Sequence, residues 1–333
     1  MKEVTKIVSD IKNGNTKPIY FLMGDEPYYI DRIAEYIEEN VLSEADKGFN
    51  QMVLYGRDVS IDEIVSNAKR FPMMAEKQVI IVKEAQDLSR TIDQLTSYVE
   101  NPQETTVLVF CYKYKKLDKR KKLYKAIDKA GVLFESKRLY ENQVPEWIQK
   151  VLAGKKYKIE PKASIMLTEY LGTDLAKINN ELQKLLIILP QGATISPKDI
   201  EENIGISKDF NNFELRKAIG ERNVLRANQI ITHFSLNPKN HPLQVTISLL
   251  NTFFTQLLLV HGLSDKSKQS ISKTLGVNMF FVPEYLTAIR NYPMRKVSQV
   301  ISFLRDADVK SKGVDANVSN EDLLKELIFK IIH

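Results

Sequence analysis

Apolar positions in the first part of the chain recur with a helical period and then, without a long connection, with the pattern of a strand. Ile61, Ile64, Val65, Ala68 and Phe71 fall at helical spacing, and Ser60 with Glu63 forms an S-x-x-E capping box at the start. Pro72 predicts the stop: a residue before proline is pushed out of the α region, which puts Phe71 in the last turn with a short loop after it. Residues 79–82 are a continuous β-branched run of buried-strand length. Between helix and strand, Phe71, Met73 and Met74 place large apolar side chains where a turn ordinarily carries polar ones. Two readings fit them. They fold back beneath the sheet as core, or they form an exposed wedge on a rigid support that binds a partner.

The same alternation organises the rest of the head. Residues 18–23 form an apolar run that ends at Gly24, followed by Asp25-Glu26-Pro27 and then Tyr29, Ile30, Ile33, Ala34 and Ile37 at helical spacing. Further strands are predicted at 49–55, 106–111 and 132–135 with helical patterns between them, so a mainly parallel sheet covered on both faces is expected. The strand pattern ends there. Residues 140–145 read as a linker, and helices are predicted at 147–153, 163–171, 175–189 and 197–204, the last opened by Ser196-Pro197 as N-cap and first helical residue. After a second break at 205–210, helices are predicted at 213–219, 223–234, 242–261, 282–290, 294–310 and 320–332. The expected organisation is an α/β head (1–140), a small helical domain (141–208) and a larger helical domain (209–333).

Composition narrows the class. At 333 residues with 43% hydrophobic content the chain is long enough for more than one packed core. Its single cysteine, Cys111, excludes an internal disulfide and a cysteine-cluster zinc site and fits a reducing cytoplasm. Residues 1–15 carry scattered charges and no apolar signal region, and the apolar stretch 245–260 is interrupted by polar side chains, so neither secretion nor a membrane span is expected. The net charge of +6 is a weak signal for nucleic acid. More pointed is the run from Lys113 to Lys122, with seven basic residues and one acidic. It reads either as a solvated helix entrance capped by Asp118, or as a phosphate-contacting patch in which Lys113, Lys115, Lys116, Lys119, Arg120 and Lys122 meet a nucleic-acid backbone.

The first turn of a nucleotide-binding α/β domain would carry G-x-x-x-x-G-K-[ST], since glycines let backbone N–H groups cradle phosphates while lysine and hydroxyl serve phosphate and magnesium. Counting from Gly24, those last three positions hold Tyr29, Ile30 and Asp31. Asp25 and Glu26 would also repel a phosphate there. After residues 80–82 the expected magnesium-binding acid is displaced to Glu84, behind a lysine. The four histidines, His233, His241, His261 and His333, all lie in the C-terminal third, and no Ser/His/Asp arrangement stands out. The shape of a nucleotide domain is predicted without its phosphate site, metal or cofactor.

Taken in order, several strings resemble the delta subunits of the bacterial replicative clamp loader, part of the DNA polymerase III holoenzyme. They are the stretch 18–27, the tip and strand at 71–82, the basic segment 116–125, Gly172-Thr173-Asp174-Leu175 with 181–185, and the C-terminal Asp306-Ala307-Asp308 with 310–313 and 323–332. The resemblance covers essentially the full length. It implies an AAA+-like head that has lost ATPase function, a helical lid and a helical collar that joins an oligomer. It further implies that Phe71, Met73 and Met74 enter a pocket on the ring-shaped sliding clamp and help open it. The implied partners are that clamp, the ATPase and delta-prime-like subunits met through the collar, and primed DNA, with no membrane. Two departures stand out: Met73-Met74 replaces the family's usual leucine-phenylalanine, and Ala176-Lys177 follows Asp174-Leu175 where relatives carry arginine. A stand-alone DNA-binding protein and a diverged AAA+ NTPase are the competing readings.

Overall fold

The computed structural model describes residues 2–207, 209–314 and 318–333. Contacts divide the chain into two units, residues 1–139 and 140–333. The second break expected at 205–210 includes residue 208, which lies outside the described residues.

In the first unit the order is α1 (Lys2–Lys12), β1 (Ile19–Gly24), α2 (Pro27–Asn40), α3 (Glu44–Asn50), β2 (Gln51–Tyr55), α4 (Ile61–Ala68), β3 (Gln78–Lys83), α5 (Thr96–Glu100), β4 (Thr106–Lys113), α6 (Lys122–Ala130) and β5 (Val132–Ser136). The strands form a parallel sheet in the order β2-β3-β4-β1-β5. Period-2 alternation sends Ile19, Phe21, Ile80, Val82, Leu108 and Phe110 to one face, against apolar positions of α4, α5 and α6. Tyr20, Leu22, Val79, Ile81, Val107 and Val109 go to the other, under α1 and α2. Both faces are buried, which is why the central strands read as unbroken apolar runs in sequence. The predicted α/β head with a parallel sheet is present.

Two boundaries differ from the sequence reading. The predicted strand 49–55 gives up Phe49 and Asn50 to α3, a seven-residue helix whose N-cap Ser43 accepts from the Asp46 N–H. α4 ends at Ala68, three residues before Phe71. Its last carbonyl is taken by side chains instead of a further turn: the Ala68 oxygen accepts from Thr106 Oγ1 at 2.8 Å and Tyr98 Oη at 3.3 Å.

The second unit runs α7 (Val144–Gly154), β6 (Lys158–Ile159), α8 (Pro161–Leu171), α9 (Leu175–Ile188), β7 (Thr194–Ile195), α10 (Pro197–Ile204), α11 (Asn212–Gly220), α12 (Val224–Leu236), α13 (Leu243–Gly262), α14 (Lys268–Leu275), α15 (Val282–Asn291), α16 (Met294–Ser311) and α17 (Asn320–Ile332). α10 starts as its sequence predicts: the Ser196 side chain accepts from the Asp199 N–H, with Pro197 in the first turn. The short parallel pair β6 and β7 and the helix α14 are additions to the sequence reading. α13 has the length and apolarity of a membrane span, but Leu250, Phe253, Phe254 and Leu257 lie in the core of the helical unit.

Candidate functional site

The loop between α4 and β3 is held from below and exposed above. Gln78, the first residue of β3, donates through Nε2 to the Arg70 carbonyl at 2.6 Å and to Thr106 Oγ1 at 2.8 Å, tying the loop's entry to the sheet. Asn50, almost fully buried at the end of α3, pairs with Met73 twice. The Met73 N–H donates to Asn50 Oδ1 at 2.6 Å, and Asn50 Nδ2 donates to the Met73 carbonyl at 2.9 Å. Lys77 hydrogen-bonds to Thr16. The loop backbone is therefore pinned at Arg70 and at Met73, and the Lys77 side chain is tied near its exit. Met74 lies in the left-handed region at φ 56°, where a non-glycine residue carries strain. On this support Phe71 is 75% exposed, Met73 62% and Met74 103%. None of the three packs beneath the sheet.

The turn after β1 is closed to a phosphate. Gly24 has φ 123°, and a Cβ there would lie 2.0 Å from the Ser136 carbonyl oxygen. The N–H groups that would cradle a ligand are in use: Gly24 donates to the Lys115 carbonyl and Asp25 to that of Ser136, both at 3.1 Å. The carboxylate of Glu26, buried, caps α2 by accepting from the Tyr28 N–H at 3.0 Å. An acceptor thus stands where a helix N-terminus would receive an anion. Glu84, the displaced acid, pairs with Lys113 at 2.8 Å. Burial raises its pKa, but the hydrogen bonds from Lys113 and Gln86 outweigh that and hold it below the ordinary carboxylate value. Among the described residues no group of three or more His, Cys, Asp or Glu side chains is placed to hold a metal ion.

The six basic candidates separate by partner. Lys113 is mostly buried and bridges Asp31 at 2.9 Å and Glu84. Burial lowers its pKa, but the bonds to Glu84 and Asp31 prevail and raise it above the usual lysine value. Lys116 pairs with Asp25 at 2.8 Å and Glu135 at 3.1 Å, and Lys115 donates to Ser89 Oγ at 2.8 Å. Arg120 takes Asp118 in a two-pronged pair, Nε to Oδ1 at 3.0 Å and Nη2 to Oδ2 at 2.7 Å. Lys119 and Lys122 are exposed. Asp118 does not cap α6, whose N-cap position is Lys121; its side chain instead accepts from the Arg120 N–H. The structure leaves all three apolar tip side chains exposed on one loop and splits the basic run into internal ion pairs and a few outward cations.

The helical unit holds a cavity of about 660 Å³ that no pattern in the sequence announces. Glu169 and Arg216 line it, each on a helix whose other residues follow ordinary core periodicity. Arg216 lies over the rings of Phe213 at 4.8 Å and Phe253 at 5.6 Å and reaches Glu284 at 3.4 Å. Burial pushes the Glu169 carboxyl up to about 7, against the opposing pull of Arg216.

The family model described as DNA polymerase III, delta subunit matches residues 20–137, and the model of the delta subunit's C-terminal domain matches residues 209–330. The chain belongs to the DNA polymerase III delta subunit family. Within that family it is 25% identical over 335 residues to DNA polymerase III subunit delta of Bacillus subtilis, spanning 97% of this chain and 95% of the relative. It is 20% identical over 315 residues to the probable DNA polymerase III subunit delta of Aquifex aeolicus, spanning 89% and 88%. The solved Bacillus subtilis DNA clamp loader delta protein superposes with a TM-score of 0.55 at 24% identity over 99% of both chains, a likeness of fold. The tip lies inside the first matched range. Neither model matches residues 138–208.

Proposed function

We propose that this chain is the subunit of the DNA polymerase III clamp loader that binds the sliding clamp and opens its ring for loading onto primed DNA, without catalysis of its own. The observation that carries the proposal is the exposure of Phe71, Met73 and Met74 on a loop pinned by Gln78 and Asn50. Flexible apolar anchors on a rigid support suit a greasy pocket on another protein, and fixing the loop in advance lowers the ordering cost of binding. Residues 141–208 are the lid, and 209–333 the collar that joins ATPase and delta-prime-like subunits in the cytoplasm. The capped turn at Glu26 supports the absence of nucleotide chemistry. DNA contact within the assembled loader falls to the exposed Lys119 and Lys122, and to Arg120, which stays 90% exposed beside its partner Asp118, more than to Lys113, Lys115 and Lys116, whose side-chain nitrogens are engaged deeper within the chain.

The test is direct binding of the purified chain to a purified sliding clamp without nucleotide, followed by co-assembly with the loader's ATPase subunits. Micromolar or tighter clamp binding is expected. Steeply salt-dependent DNA binding by the isolated chain, with no affinity for the clamp, would favour a stand-alone DNA-binding protein.

A further inference from the structure

The tip is not the whole of the apolar surface at this end of the sheet. β2 and β3 are parallel neighbours with Gln51 opposite Val79, so the residues entering β2 and those entering β3 emerge at the same sheet end. Those residues are the end of α3 on one side and the tip loop on the other. Asn50 joins them: its amide is bonded to both the N–H and the carbonyl of Met73. Immediately before it, in the last turn of α3, stands Phe49, 77% exposed. An exposed phenylalanine alone needs no explanation, but this one adjoins the residue that fixes an exposed Met-Met tip.

We propose that the end of α3 is the second half of the clamp-binding surface, with Phe49 an additional apolar anchor and Asn50 the positioning residue that sets the shape of the tip. The inference rests on the clamp-binding reading given above, and the continuity of Phe49 with the tip through Asn50 commits it to the same occupant. Asn50, whose Nδ2 also donates to the Asp46 carbonyl of its own helix at 3.2 Å, acts on the tip through Met73. Satisfying both Met73 backbone groups holds the tip in the conformation that presents Met74 outward, so the cost of ordering the loop is met before the partner arrives. Phe49 acts by contact. Aromatic residues bordering a central apolar cluster are favoured as binding anchors.

Clamp affinity is measured for Phe49→Ala, Asn50→Ala and Met73→Ala/Met74→Ala, and for each of the first two placed in the Met73/Met74 background. Amide exchange at Met73 and thermal unfolding are followed alongside. Phe49→Ala should weaken binding about tenfold with unchanged melting, and should still weaken it in the Met73/Met74 background. Asn50→Ala should weaken it by a similar factor and speed exchange at the Met73 amide, yet add less than about twofold in the Met73/Met74 background, because it works through the side chains already removed. If Met73→Ala/Met74→Ala keeps full affinity, the tip reading itself fails. If that pair loses affinity while Phe49→Ala and Asn50→Ala do not, the tip reading stands and this inference is overturned. An Asn50→Ala loss that is fully additive, or accompanied by a large fall in melting temperature, assigns Asn50 a general structural role and overturns its positioning. A change in self-association on Phe49→Ala, with clamp affinity intact, would make this face a contact between copies of the chain and overturn the Phe49 assignment.

Discussion

Replacing Met73 and Met74 together by alanine separates binding from folding more sharply than any other change in the head. A Met or Phe side chain moved from water into an apolar pocket gains about 1.5–3 kcal/mol, so three such anchors could supply much of a micromolar interface before association entropy is subtracted. Exposures of 62% and 103% mean that the two methionine side chains contribute little to the head's own packing. The bonds that hold the loop run from Asn50 to the Met73 backbone and survive truncation of the side chain. Alanine also keeps the same strain at residue 74 as methionine does, since the left-handed φ penalises any Cβ. Clamp affinity should therefore fall by about 2 kcal/mol or more, roughly thirtyfold, while stability moves by about 0.5 kcal/mol or less. Buried methionines would behave in the opposite way, losing about 2–5 kcal/mol of stability each through the cavity left behind. Titration calorimetry against the clamp, together with a thermal melt of the same double variant, reads both quantities. Retained affinity with a melting temperature lowered by several degrees would refute the reasoning.

Three other outcomes follow from the same geometry. The purified chain should neither bind nor hydrolyse ATP, because the N–H groups of the first turn are committed to Ser136, Lys115 and Glu26; turnover that survives repurification and disappears on changing Asp25 or Glu26 would contradict this. Reversing Lys119, Arg120 and Lys122 to glutamate should weaken DNA binding by the assembled loader more at low salt than at high salt, and an unchanged affinity at every salt concentration would return the run to a solvated surface. Glu169 is raised from an ordinary 4.5 to about 7, so between those values the folded chain holds a proton that the unfolded chain releases; its contribution to stability falls as pH rises through that window. Glu169→Gln should flatten that decline and raise the melting temperature at pH 8 more than at pH 5, and parallel pH profiles for the two proteins would oppose it.

Much of the head was legible because its signals are local. Ser60 caps α4 where its sequence places it, as Ser196 does for α10 in the helical unit, and both faces of the head's sheet are covered, so the central strands announce themselves as apolar runs. What escaped the sequence is what depends on distant residues. α4 stops early because Thr106 and Tyr98, far along the chain, take the Ala68 carbonyl. Phe49 looked like a strand residue because α3 is too short to show a period, and β6 and β7, at two residues each, show none at all. The apolar tip was visible as an anomaly, but its exposure was not, since spacing cannot tell a loop that folds under a sheet from one pinned upright by Asn50. The basic run was legible only in part: charge could be counted along the chain, whereas the partners of Lys113 are Asp31 and Glu84, brought together only by the sheet.

The central claim is that this chain opens a ring by means of its tip, and clamp release tests it most directly. A labelled clamp is first closed around circular DNA, the purified chain is added without nucleotide, and clamp remaining on the DNA is measured with time against Met73→Ala/Met74→Ala as control. The account predicts that the chain speeds release in proportion to its occupancy of the clamp and that the double variant does not. Saturating clamp binding with release no faster than in its absence would contradict it.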